Sequence, residues 1–119
     1  MAGYIDGFLL PVPRKKIEAY RRISAKAGKV WREHGALEYR ECVADDIAAH
    51  GGGFRRGAKV KAGETIVFSW IVYKSRAHRD KVNAKVMNDP RLAEMMNMKD
   101  HPFDVRRMAM GGFRILVDK

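Results

Sequence analysis

An α+β chain with its elements in the order β-α-β-β-α-β is predicted by three observations. Two segments, 3–12 (GYIDGFLLPV) and 64–73 (ETIVFSWIVY), are apolar on both faces, as strands central to a sheet are. Between them, Ile17, Tyr20, Ile23, Ser24, Ala27, Val30, Trp31 and His34 recur at three- and four-residue spacings, one stripe of a long amphipathic helix over 14–34. The segment 37–44 alternates instead, in the manner of an edge strand covered on one side.

Each boundary has a local reason. Pro11 and Pro13 are expected to end the first strand and open the helix, whose first turn tolerates proline. Gly35 suits the helix C-terminus, and Gly28, at a cost of about 1 kcal/mol relative to alanine, permits close packing against a strand. Residues 45–61 read as a glycine-rich, basic loop. Ser75 is placed to N-cap a second helix reaching about Met87, and Asp89-Pro90 repeats the cap-then-proline signal for a short helix through Met96. The polar stretch NMKDHPFD then leads to a last strand over 107–117, with Gly111-Gly112 expected to form a bulge or kink.

This order is the ferredoxin-like split βαβ plan, in which a four-stranded antiparallel sheet has its first and third strands at the centre. Right-handed crossovers place the helices on one face. The other face, carrying either Ile66, Phe68 and Trp70 or Val67, Ile71 and Tyr73, is too apolar to stay wet, so a homodimer paired sheet to sheet is expected.

The 119 residues are most simply one domain, 1–119, with 46% hydrophobic and 32% charged residues. No apolar run is long enough for a membrane helix, and MAGYIDGFLL lacks the basic start of a secretory signal, so a cytoplasmic protein without a membrane partner is expected. Cys42 is the single cysteine, which excludes an internal disulfide and CxxC chemistry and reads as a structural, half-buried thiol. A net charge of +10 attracts nucleic acid or anionic metabolites. The first helix holds Arg14, Lys15, Lys16, Arg21, Arg22, Lys26, Lys29 and Arg32, mostly off its apolar stripe. No RNA-binding aromatic motif, helix-turn-helix or GXXG signature accompanies them, so nucleic acid is possible as a partner but not favoured.

The blocks YIDGFLLPVP, GALEYRECVADD, FSWIVYKSRAHRDKVNAKVMNDPR and HPFD…MGGF resemble the YbaA-like family of bacterial domains of unknown function, from Tyr4 to Asp118. The resemblance implies membership of the dimeric α/β-barrel superfamily, whose ferredoxin-like protomers dimerise through their sheets. Relatives by fold include antibiotic-biosynthesis-type monooxygenases, haem-degrading enzymes and muconolactone-isomerase-like proteins, several of which hold a ligand between sheet and helices. Tyr73-Lys74-Ser75 resembles their Trp-x-Ser strand-to-helix junction and implies that Ser69, Ile71 and Tyr73 face the helices.

HGALEYRECVADD gathers six metal-ligand residue types between His34 and Asp46, yet strand alternation sends Leu37, Tyr39, Glu41 and Val43 to one face and Glu38, Arg40 and Cys42 to the other. No metal and no cofactor is expected. Glu41, between Tyr39 and Val43 on the half-buried face, needs a partner: an arginine such as Arg114, or a residue of the second protomer, or else a role as general base. Asp6 interrupts a central strand and invites the same alternatives. His78, beside Arg76 and Arg79, is a surface histidine or a proton-transfer group at a pocket rim. Tyr20, Trp31, His34, Tyr39 and Tyr73 could line an aromatic pocket or simply fill the core. His50 and His101 read as solvent-exposed, and the methionines at 87, 95, 96 and 98 as adaptable packing around the short helix.

The leading expectation is a homodimer that binds a small, partly aromatic or anionic metabolite, with cofactor-independent oxidation or isomerisation as its chemistry. In that reading Glu41 or Asp6 is the base, and Tyr73 and His34 orient the ligand. A basic RNA-associating protein and a non-catalytic, stress-related structural dimer are the alternatives.

Overall fold

Four strands pair in the order β2-β3-β1-β4, all antiparallel, in a computed structural model that describes residues 3–47 and 53–119. They are β1 (Tyr4–Pro13), β2 (Glu38–Val43), β3 (Glu64–Tyr73) and β4 (Ala109–Arg114). The two segments apolar on both faces are the central pair, joined in continuous register from Tyr4↔Tyr73 to Pro13↔Glu64. Pro11 and Pro13 do not end β1 as expected but lie within it. β4 pairs with β1 only as far as Leu9↔Ala109, so no strand on that side needs the missing proline N–H groups.

The helices are α1 (Ile17–Glu33), a four-residue α2 (Phe54–Gly57), α3 (Arg76–Met87) and α4 (Pro90–Met96). Helix α1 follows a 3₁₀ turn at Arg14–Lys16 and ends where Gly35 takes the left-handed conformation, φ +117°. The Ser75 hydroxyl accepts from the His78 amide to cap α3, and the Asp89 carboxylate accepts from the Arg91 amide to cap α4, with Pro90 in its first turn. Both caps were readable in sequence.

Tyr4, Ile71 and Tyr73 on the sheet pack against Ile23 and Val30 of α1, Val82 and Val86 of α3, and Leu92 and Met95 of α4. A second cluster joins Leu10, Val12 and Val67 to Tyr20. The helices α1, α3 and α4 therefore cover one face of the sheet, the face that carries Ser69, Ile71 and Tyr73. The opposite face presents Ile5, Phe68, Trp70 and Phe113, with Phe68 46% and Phe113 62% exposed. Part of it is crossed by α2, whose Phe54 meets Phe68 edge to face at 6.2 Å.

Three further expectations are corrected. The segment 45–61 is not all loop, because α2 forms within it. β4 is shorter than 107–117, since Val105–Arg107 is a 3₁₀ turn. Gly111-Gly112 makes no bulge: register with β1 runs unbroken through both. Gly112 is needed because the Tyr4 ring lies where its Cβ would be. His50 lies outside the described residues.

Candidate functional site

Where α1 passes over the sheet with Ser24, Ala27 and Gly28, and β3 answers with Ser69, the side chains are too small to fill the layer between them. A cavity of about 300 Å³ results, walled also by α3, α4 and the chain leading to β4. Its lining is predominantly apolar. Aromatic rings come from Phe8, Tyr20, Trp31, Tyr39 and Phe103, and Met87, Met95 and Met96 supply flexible surface on the α3–α4 side.

Glu41 reaches this cavity because the period of two in β2 turns it inward, opposite Ser69. Among the described residues no arginine pairs with it, and the expected Arg114 lies on the opposite edge strand, beside Tyr4. The Tyr20 hydroxyl donates to Glu41 Oε1 at 2.7 Å, and the Tyr39 hydroxyl donates to Oε2 at 2.7 Å. Burial, with the adjacent carboxylate charge adding to it, pushes both phenols well above their ordinary value, so they stay protonated donors. Tyr39 can reach this position only because Gly28 has no side chain. A Cβ there would sit 2.8 Å from Tyr39 Cδ1, which is the close helix–strand approach expected of that glycine.

Asp6 also borders the cavity but is committed elsewhere. Arg79 Nη1 donates to its Oδ1 at 2.5 Å, and the same guanidinium binds Asp80 and lies 5.0 Å from the centre of the Tyr4 ring. Asp6 thus has the arginine partner that its place in a central strand calls for. Tyr73 is fully buried outside the cavity lining, its hydroxyl donating to Asn83 Oδ1 at 3.2 Å. Trp31 Nε1 donates to the same oxygen at 3.1 Å, so Asn83 ties α1, α3 and β3 together.

The histidines take positions the sequence did not give. His34 lies outside the cavity lining: its Nε2 bonds Asp89 Oδ2 at 2.8 Å, joining the end of α1 to the start of α4. The Arg91 side chain above all, and then His34, hold the Asp89 carboxyl well below its ordinary range. His78 is half-buried and lies outside the cavity lining, its Nδ1 accepting from the Lys74 amide at 2.9 Å just ahead of α3. His101, expected in solvent, lines the cavity. Its Nδ1 donates to the Phe103 carbonyl at 2.9 Å, and its Nε2 is buried without a hydrogen-bond partner among the described residues. Cys42, expected half-buried, is exposed on the outer face.

Of the residues singled out in sequence, Glu41, Tyr20, Tyr39 and Trp31 converge, whereas His34, His78 and Tyr73 do not. Asn83, Phe103 and His101 were missed. Asn83 had a readable signal, a polar residue on the same helical stripe as Val82 and Val86. His101 had none, standing in a polar stretch without periodicity. Among the described residues no three His, Cys, Asp or Glu side chains cluster as a metal would require, and no helix is long and apolar enough to cross a membrane.

The fold is similar to that of a NIPSNAP family protein of unknown function from Agrobacterium tumefaciens. That likeness has a TM-score of 0.62 at 13% identity and covers 94% of this chain and 86% of the other. In sequence the chain is 43% identical over 117 residues to the uncharacterised protein YbaA of Escherichia coli K12, and equally to that of Shigella flexneri, with 98% of each chain covered. Residues 3–105 match the model of the family described as protein of unknown function DUF1428, and the chain belongs to that family.

Proposed function

We propose that this protein binds a small, largely apolar molecule in the cavity between sheet and helices, and that two copies associate through their open sheet faces. The observation that carries the binding reading is Glu41, a carboxylate facing an aromatic-lined space and held by two phenols instead of a cation. A carboxylate in a mostly apolar wall carries a desolvation cost that a purely structural site would relieve with an arginine. Ligand sites combine an apolar lining with a few placed polar groups, and this cavity has that composition. Glu41 is also a group in the wall able to exchange a proton with a bound molecule, so cofactor-independent isomerisation is the chemistry proposed for it. Support for the dimer is the contiguous apolar face of Ile5, Phe68, Trp70 and Phe113.

Thermal melting in the presence of a panel of small aromatic compounds tests the binding reading, with Ala27→Trp as the variant whose side chain fills the cavity. Compounds at a hundredfold their Kd stabilise the native state by about 2.7 kcal/mol. Binders are expected to raise the wild-type Tm and to leave Ala27→Trp unmoved. Equal shifts in both proteins, or no shift across the panel, would overturn the proposal.

A further inference from the structure

We infer that the ligand carries a positively charged hydrogen-bond donor, an ammonium group on an aromatic or apolar body, and that Glu41 recognises it. The inference rests on the reading that the cavity binds a small molecule, and adds the chemical class of that molecule.

Four observations lead to it. Glu41 receives one phenol on each oxygen, whereas a carboxylate offers about four acceptor positions, so half of its capacity remains. Among the described residues every ion pair lies elsewhere, and no basic nitrogen comes within 4.0 Å of Glu41. The cation in the cavity lining, Arg40, lies 3.8 Å from Glu38 rather than on Glu41, and Trp31 Nε1 is engaged on Asn83. The rings around Glu41, from Tyr20, Tyr39 and Trp31, present faces that attract cations. Glu41 is thus a carboxylate in the cavity wall without a cationic partner among the described residues, inside a molecule whose net charge is +10.

That contrast makes the inference exposed to failure, since the field of the whole molecule favours anions. Benzylamine, protonated at pH 7, benzyl alcohol and benzoate share one ring and differ in charge. Their binding is read from the Trp31 indole N–H signal by nuclear magnetic resonance at 150 mM salt. Benzylamine is expected to bind about tenfold more tightly than benzyl alcohol, as charge-assisted hydrogen bonds exceed neutral ones, with benzoate weakest. Glu41→Gln should bring the first two within about twofold, and Tyr20→Phe, which keeps the charge, should retain the preference; the amide spectrum of each variant verifies its fold. Benzoate binding as tightly as benzylamine, or a preference that survives Glu41→Gln, would overturn the inference while leaving the binding site intact. No movement of the Trp31 signal with any of the three would overturn the binding reading and this inference together.

Discussion

Asp6, Glu64 and Glu41 are three carboxylates drawn into or against the same sheet, and they are answered in two ways. At Asp6 and Glu64 the partner is an arginine: Arg79 for the first, and for the second Arg107, which reaches both oxygens at 2.5 and 2.9 Å. At Glu41 the partners are two neutral phenols, which donate hydrogen bonds and leave the charge in place. The arginine-paired sites are closed electrostatically and hold the fold. The tyrosine-paired site is satisfied for hydrogen bonds and still open to a cation, and of the two carboxylates that border the cavity, Asp6 and Glu41, it is the one without an arginine. Burial does not by itself distinguish a structural carboxylate from a recognising one; the partner's charge does.

The comparison breaks most sharply at Arg79. Replacing it with methionine strands Asp6, which is only 5% exposed, as an unpaired buried anion. A loss of about 3 kcal/mol is expected in urea unfolding, and Asp6→Asn added to Arg79→Met should restore most of it. A double variant as unstable as the single one would show that Asp6 is not held by charge pairing.

A smaller effect is expected at Glu64 and is read as a function of pH. The Arg107 hydrogen bonds, more than any other influence, hold its carboxyl at about 2 against an ordinary 4.5. Because the folded value lies below the unfolded one, the stabilisation is complete above about pH 4.5 and is withdrawn as the pH falls towards 2. Wild type should lose Tm across that window, and Glu64→Gln should start lower at pH 7 and fall less. Parallel curves for the two proteins would remove Glu64 from the ion-paired class.

The smallest effect is expected at His101. Its Nε2 has no hydrogen-bond partner among the described residues, so His101→Phe, which preserves the ring 4.5 Å from Phe103 and forfeits only the Nδ1 bond to the Phe103 carbonyl, should cost no more than about 1 kcal/mol. A loss above about 2 kcal/mol in chemical denaturation would show that His101 is a structural hydrogen-bonding residue like His34.

How much of this was readable in sequence follows from the range of the interaction concerned. Strand order, the caps at Ser75 and Asp89 and the inward direction of Glu41 depend on periodicity and on residues a few positions apart, and these were legible. What Glu41 meets was not. Tyr20 lies 21 residues away on α1, and its hydroxyl reaches the carboxylate only because Gly28 lets the helix settle onto Tyr39. The partner of His34 was out of reach for the same reason, Asp89 being 55 residues distant. Proline's missing N–H also misled at β1, where proline within a strand reads as a stop until the length of the neighbouring strand is known.

The small residues of α1 have a bearing on how the family could diversify. Ala27 sits at a helix position that sets no strand register, caps no helix end and belongs to no ion pair. The capacity of the cavity can therefore change by single substitutions there while the sheet, the helix ends and the arginine pairs stay as they are. Cavity size can thus be redrawn at one helix position without touching the strand register or the charge pairs.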